Sequence, residues 1–350
     1  MATVRLIWLV FVVVLTGLPG AAMAASCSEI VLGAVLSLTG RHSTSGVLAR
    51  NGYELAAHQL KADGGVRIGD RCYNLRIIYY DDESSPKRGV EVAKRLIEKD
   101  RVQFILGPNS AAVADSIADL TEAARIPMLN AQGTPRTLYG KGRKYLFGMV
   151  TASERHLSSV LDLAANVARN TARSAAPIRV ALVSTDDPFV SNLRAGVLRE
   201  AMGQSMIIAA DEKFDSDLAN MAAVLSKVRL GQADILIVTG DAKAAAVATR
   251  QIEELQVHTP IVAMTHCEAA GLTMRQASAA ANLLCAARAV QGAKRGAALT
   301  DYTAFDAAYR ARFKIETSDP LPDAAAQAAL ALHVFAHALR RAGTRDNEKV

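Results

Sequence analysis

The stretch FILGPNSAAVADSIADL, from Phe104 to Leu120, opens as a short apolar run, breaks at Gly107-Pro108-Asn109-Ser110 and continues as an alanine-rich pattern with helical spacing. That reads as a strand, a tight turn and a helix. The same arrangement builds phosphate loops, nucleophile elbows and the ligand loops of binding proteins. A phosphate loop needs Gly-x4-Gly-Lys-Ser/Thr, and no such glycine or lysine follows Gly107. A dinucleotide site needs Gly-x-Gly-x-x-Gly after a strand, which none of the strand-following loops has. A hydrolase elbow reads Gly-x-Ser-x-Gly with histidine and acid partners later in the chain. Here the order is Gly-Pro-Asn-Ser-Ala, so Ser110 is expected as a helix cap.

Outward from this stretch the pattern alternates steadily. IVLGAVLSL (Ile30–Leu38) predicts a strand, residues 46–61 a helix, GDRCYNLRIIYYDD (Gly69–Asp82) a turn into a second strand, and PKRGVEVAKRLIEKD (Pro86–Asp100) a helix with Pro86 near its start. IPMLN (Ile126–Asn130) is the strand after the opening stretch. A second series begins after about Tyr145, with strands RVALVS, SMIIAADEKF, ADILIVTG and PIVAM separated by helices near 193–202, 218–228 and 242–255. Apolar strands alternating with helices predict an α/β fold with parallel sheets, here in two lobes with a cleft between them. Ligands in such sheets sit beyond the carboxyl ends of the strands, which points to the loops at 39–45, 109–111, 130–134, 185–191, 239–243 and 265–268.

Composition narrows the function classes. The 350 residues carry a formal charge of +6 with only 5% aromatics, and the basic residues are scattered, which argues against nucleic-acid binding. Arg5, the apolar run LIWLVFVVVLTGL and the small-residue segment around Ala22–Ala24 predict a secretory signal peptide over 1–25. In the oxidising compartment this implies, Cys27, Cys72, Cys267 and Cys285 can pair in three ways. Cys27 and Cys72 each sit just before a predicted strand, so if those strands are parallel neighbours a Cys27–Cys72 disulfide is the first choice, with Cys267 and Cys285 possible. Small residues before Cys27 make lipidation there a minor alternative. No Cys-x-x-Cys or His/Cys cluster suggests a metal or cofactor; His333 and His337 read as an amphipathic helix face.

Helix starts present free amides and a partial positive potential, so a strand-turn-helix end facing a cleft suits a carboxylate. Ser110 and Thr134 add hydroxyls at two such turns. In the second series Asp187 and Asp241 follow strands and could face an ammonium group, against the plain alternative that they cap helices. His266 lies on a predicted cleft loop. Nothing forms a catalytic set, and no enzyme is expected.

LSLTG at Leu36–Gly40, the run from Lys61 to Pro108, IPMLNAQGT at Ile126–Thr134 and LRRAGTRD at Leu339–Asp346 together resemble the leucine/isoleucine/valine-binding proteins, the type I periplasmic solute receptors of ABC importers. The resemblance implies two Rossmann-like lobes joined by a hinge, with lobe 1 over 26–145, lobe 2 over 146–288 and a return to lobe 1 over 289–350. It also implies a family C-terminal end beyond Val350. It implies a monomer that closes on a small polar ligand, an amino acid or related amide or carboxylate, and delivers it to an inner-membrane permease. The alternative is a periplasmic sensing partner of a membrane receptor. Position by position, the family's aromatic before the first helix falls on Ser45, and its hydroxyl after Gly-Pro on Ala111, with Ser110 one residue earlier. Its carboxylate-binding threonine falls on Thr134, next to Ala131 and Gln132, and its second-lobe tyrosine on Phe189. The family's ammonium-binding acid has no clean match, its loop offering His266, Cys267 and Glu268, and Asp241 falls near another second-lobe contact. Loss of the aromatic and of the hydroxyl argues against leucine, isoleucine or valine as the ligand.

Overall fold

The computed structural model describes residues 27–132, 136–149, 152–169, 176–215, 220–266, 283–286, 302–316 and 321–350. The expected signal peptide, Thr134 and Cys267 lie outside them, as does the side chain of Cys285.

In the first lobe β1 (Ser28–Leu36) leads into α1 (Ser43–Ala62), the hairpin β2 (Val66–Ile68) and β3 (Arg71–Asp81), then α2 (Pro86–Glu98), β4 (Phe104–Leu106), α3 (Ala111–Ala123), β5 (Met128–Asn130), α4 (Arg136–Tyr139) and β6 (Leu146–Gly148). These strands form one six-stranded sheet in the order β2-β3-β1-β4-β5-β6, parallel except for β2. β1 explains the long apolar run. Ile30, Leu32, Ala34 and Leu36 pack under α1, while Val35 and Gly33 face the α2–α3 layer. Both faces of the strand are buried, so the polar-apolar alternation of a half-exposed strand is absent. At Gly33 a Cβ would come within 2.8 Å of Leu96 Cδ1, so α2 lies directly on the strand.

The second lobe repeats the plan. α5 (Ser158–Arg169) precedes β7 (Arg179–Ser184), followed by α6 (Pro188–Gly203), β8 (Ile207–Lys213), α7 (Ala222–Leu230), β9 (Ile235–Thr239), α8 (Ala242–Glu254), β10 (Ile261–Thr265) and β11 (Leu283–Ala286). The five strands are parallel in the order β11-β10-β9-β7-β8. Two final helices, α9 (Tyr302–Phe313) and α10 (Asp323–Ala342), return to the first sheet, where Phe305, Tyr309, Leu332 and Phe335 join the core under α1. A Cβ at Gly52 would lie 2.1 Å from the Ala325 carbonyl oxygen, so α1 and α10 cross at backbone contact.

Because β1 and β3 are parallel neighbours, with Ser28 opposite Tyr73, Cys27 and Cys72 start adjacent strands and form a disulfide across a Cα separation of 4.8 Å. This bond uses the thiol that lipidation of Cys27 would need, so one molecule cannot carry both. The short antiparallel β2 was not expected from the sequence; Gly69, with φ of 58°, makes the turn that folds it back on β3. No described helix is long and apolar enough to cross a membrane.

Candidate functional site

In each sheet the strand order reverses at one place. In the first, the chain moves outward from β1 to β3 and then crosses to β4; in the second, it moves from β7 to β8 and crosses to β9. The loops beyond β1 and β4 therefore diverge to opposite faces, as do those beyond β7 and β9, and each divergence opens a crevice at the carboxyl edge. The two crevices meet. One cavity of about 100 Å³ is lined from the first lobe by Arg41, His42, Ser45, Asn109 and Ser110 and from the second by Asp187, Phe189, Asp241 and His266.

The first-lobe side is a braced frame. Asn109 Oδ1 accepts from the Ser37 amide at 2.9 Å, and its Nδ2 donates to the His42 carbonyl at 3.1 Å and to Ser45 Oγ at 2.8 Å. Ser45 Oγ donates in turn to the His42 carbonyl. The loop after β1 is further tied to residues 81–84: Asp81 accepts from the Leu38 and Thr39 amides and the Thr39 hydroxyl, and Asp82 accepts from the Ser37 hydroxyl at 2.7 Å. Two successive left-handed residues, Glu83 and Ser84, bring the Ser84 hydroxyl under this loop, where it accepts from the His42 amide. Gly46 lets α1 start against the loop; a Cβ there would lie 1.9 Å from the Ser37 carbonyl oxygen.

The helix starts facing the cavity differ between lobes. Asp187 caps α6, with Oδ1 accepting from the Phe189 and Val190 amides and Oδ2 from the Thr185 hydroxyl. Asp241 caps α8 through Oδ1, which accepts from the Ala244 amide at 2.9 Å, and its Oδ2 receives no hydrogen bond among the described residues. Ser110 does not cap α3. It occupies the cap position, yet its hydroxyl makes no capping bond and lines the cavity while only 7% exposed. The amides of Ala111, Ala112 and Val113 have no intrahelical partner, so the first lobe offers an uncapped helix start beside a free hydroxyl. The second offers carboxylates, one with a spare oxygen.

The aromatic contribution is a stack of edges: Phe189 lies edge-on to His156 and His266, at centroid distances of 6.3 and 6.0 Å. His266 is held there by a left-handed backbone, φ 58°. His42 accepts through Nε2 from Arg41 Nε at 3.0 Å. Burial, and then the Arg41 charge, hold its pKa below the ordinary histidine value, against the opposing pull of Asp187 and Asp241 across the cleft.

The structure thus brings Ser45, Ser110, Ala111, Gln132, Asp187, Phe189, Asp241 and His266 to one cavity. Ala131 is elsewhere. It is 2% exposed, and its methyl packs into the first-lobe core while the next residue, Gln132, reaches the cavity. Ala111, expected at a family hydroxyl, also has an apolar role, because it joins the second-lobe cluster that contains Phe189 and Val190. Sequence reasoning did not single out His42, Asn109, His156, Asp323 or Gln327, all of which line the cavity. Asn109 was signalled by the polar turn between Pro108 and the helix; Asp323 and Gln327 arrive from α10 and carry no local signal. Among the described residues no group of three or more His, Cys, Asp or Glu side chains could hold a metal.

Two facing α/β lobes each present their switch-point loops to one shared cavity. The chain belongs to the periplasmic binding protein family, whose model matches residues 29–350, a family of binding proteins rather than enzymes. The Leu/Ile/Val-binding protein BraC3 of Rhizobium johnstonii is 23% identical over 243 residues, covering 67% of this chain and 61% of that protein. A Leu/Ile/Val-binding protein homolog of Brucella suis is 20% identical over 63% of this chain and 54% of its own length. These matches therefore span between about half and two thirds of the relatives' lengths. Among solved structures, the branched-chain amino acid transporter substrate-binding protein LivJ of Streptococcus pneumoniae, in complex with isoleucine, superposes with a TM-score of 0.73 at 20% identity, covering 92% of this chain and 87% of that one. A solute-binding protein of R. palustris in complex with benzoate gives 0.75 at 16% identity, covering 92% and 83%.

Proposed function

We propose that the chain is the exported, periplasmic solute-binding component of an ABC importer. It holds a small carboxylate-bearing ligand, an amino acid or a related amide or carboxylate, between its lobes and delivers it as a monomer to an inner-membrane permease. The observation that carries this reading is the uncapped start of α3. Ser110 Oγ and the amides at 111–113 form a set of donors without an acceptor, placed where a ligand carboxylate completes the cap. Across the cavity, Asp241 Oδ2 is the acceptor for an ammonium group. A ligand bridging the two sides stabilises the closed arrangement by its contacts to both lobes. The isoleucine and benzoate held by the two neighbours share a carboxylate, which supports the anionic end of this reading. Residue 134, where the resemblance places a second carboxylate-binding hydroxyl, belongs to the same proposal.

A thermal-shift screen of amino acids, amides and small carboxylates on the chain without residues 1–25 tests it. A ligand at about one hundred times its Kd stabilises by about 2.7 kcal/mol, so at least one compound should raise the melting temperature by several degrees. A screen in which no carboxylate does so contradicts the proposal.

A further inference from the structure

Arg41 reaches the cavity from the loop after β1, and its Nε donates to His42 Nε2 at 3.0 Å. An arginine nitrogen only donates, so His42 Nε2 is the acceptor and the ring carries its proton on Nδ1. Burial, and then the Arg41 charge, hold the His42 pKa below the ordinary value, which keeps the ring in the uncharged form that this bond requires. One edge of the guanidinium is thereby fixed against a neutral side chain. Arg50, Arg76, Arg88, Arg143 and Arg194 each pair with a carboxylate. Arg41 pairs with none among the described residues, and its Nη1 and Nη2 make no hydrogen bond there. Asp187 and Asp241 line the same cavity from the second lobe, yet neither forms an ion pair with it. The support is rigid: Asp81 holds the Leu38 and Thr39 amides, and Asn109 Nδ2 donates to the His42 carbonyl at 3.1 Å.

On the same lobe the Ser110 hydroxyl, in a residue 7% exposed, makes no hydrogen bond among the described residues and lines the cavity at the open start of α3. A hydroxyl and free amides do not by themselves tell a carboxylate from a carboxamide, because either offers an oxygen that accepts. A guanidinium does. Its planar fork of N–H groups matches the two oxygens of a carboxylate. A carboxamide meets the same fork with one oxygen and an NH2 group, donor against donor. A site built to bond a particular group discriminates strongly against an analogue that lacks it.

We infer that Arg41 is a specificity-determining residue of this cavity: its guanidinium pairs with the ligand carboxylate that meets Ser110 and the start of α3, so the cavity takes an acid and rejects the corresponding carboxamide. This rests on the reading that a ligand carboxylate is held at the start of α3, and it narrows that reading by removing amides.

Calorimetric titration of the chain without residues 1–25 with three acid–amide pairs at neutral pH tests it: L-leucine and L-leucinamide, L-threonine and L-threoninamide, benzoate and benzamide. The tightest-binding acid should exceed its own amide by about thirtyfold or more, and Arg41→Gln should cut that ratio by about tenfold or more, the scale of a hydrogen bond to a charged group. Arg41→Lys, which keeps the charge without the fork, should fall between. Arg41 is exposed, so both variants should keep the parent's melting temperature. An acid that binds the parent and Arg41→Gln equally, with Ser110→Ala still weakening it, overturns this inference and leaves the solute-binding reading standing. An equal loss for acid and amide in Arg41→Gln is a structural effect and overturns the inference as well. An amide that binds the parent chain as tightly as its acid does the same. No binding by any of the six overturns both readings. If a variant does not fold, the acid-to-amide ratio of the parent chain still decides.

Discussion

Asn109 Nδ2 lies 2.8 Å from Ser45 Oγ, and this bond joins the loop after β4 to the first turn of α1. Because the same side chain also holds the Ser37 amide and the His42 carbonyl, three segments of the first-lobe crevice depend on one amide. Asn109→Ala is predicted to cost about 1–3 kcal/mol, the scale of leaving partly buried partners unmatched, and to weaken the best ligand by about tenfold or more. Asn109→Asp should be worse for a carboxylate ligand, since it sets an acceptor against the His42 carbonyl and adds a negative charge to the cavity wall. Melting curves and titrations of both variants check this; wild-type behaviour in either readout would remove Asn109 as the brace.

The Cys27–Cys72 disulfide closes a loop with a sequence separation of 45. On chain-entropy grounds such a loop contributes about 4 kcal/mol. Cys72→Ser should therefore lower the melting temperature by about six degrees, and reductant should do the same to the parent chain. Insensitivity to both would show that the bond does not form in the exported protein.

Gly52 sets the position of α10. With the Ala325 carbonyl 2.1 Å from where a Cβ would be, Gly52→Ala should push the two helices apart. The expected cost is about 1–3 kcal/mol, more than the helix propensity gained by replacing glycine. Since α10 carries Asp323 and Gln327 into the cavity, ligand affinity should fall alongside stability. A variant that is more stable than the parent would contradict the packing described.

How much of this was legible in the sequence differs from feature to feature. The parallel α/β alternation was, because buried strands such as β1 from Ile30 on and β9 up to Val238 are continuous apolar runs and the helices between them keep a 3.6 period. The three-residue strand β2 was not, since it is too short to carry a period and depends on the Gly69 turn. Ser110 was legible as a helix-start residue but not as a free hydroxyl, because the same serine can satisfy its own helix or face a cavity. That choice is made by tertiary packing. Asp323 and Gln327 stand near position 325 and meet residues 41–45 only when α10 crosses α1, a long-range contact that no local pattern announces.

The titration of His42 gives a pH signature. Its folded-state pKa lies below the ordinary 6.5, chiefly through burial, and Arg41, Asp187 and Asp241 are the charged groups acting on it. A lowered pKa means that the folded chain binds this proton less tightly than the unfolded one. The associated stability is therefore full above about pH 6.5 and is lost as the pH falls through the folded value. His42→Gln is predicted to flatten the dependence of melting temperature on pH between about pH 7 and pH 5. An equal slope in both proteins would assign that dependence to other groups.

The most direct test of the central claim is the affinity of the tightest-binding amino acid for the parent chain, for Ser110→Ala and for Asp241→Asn, measured by calorimetry at neutral pH. The two-sided cavity predicts that each variant loses about tenfold or more, about 1.4 kcal/mol or more, while keeping a normal melting temperature in the absence of ligand for Ser110→Ala. Unchanged affinity in both variants would mean that the ligand is not held between the start of α3 and the cap of α8.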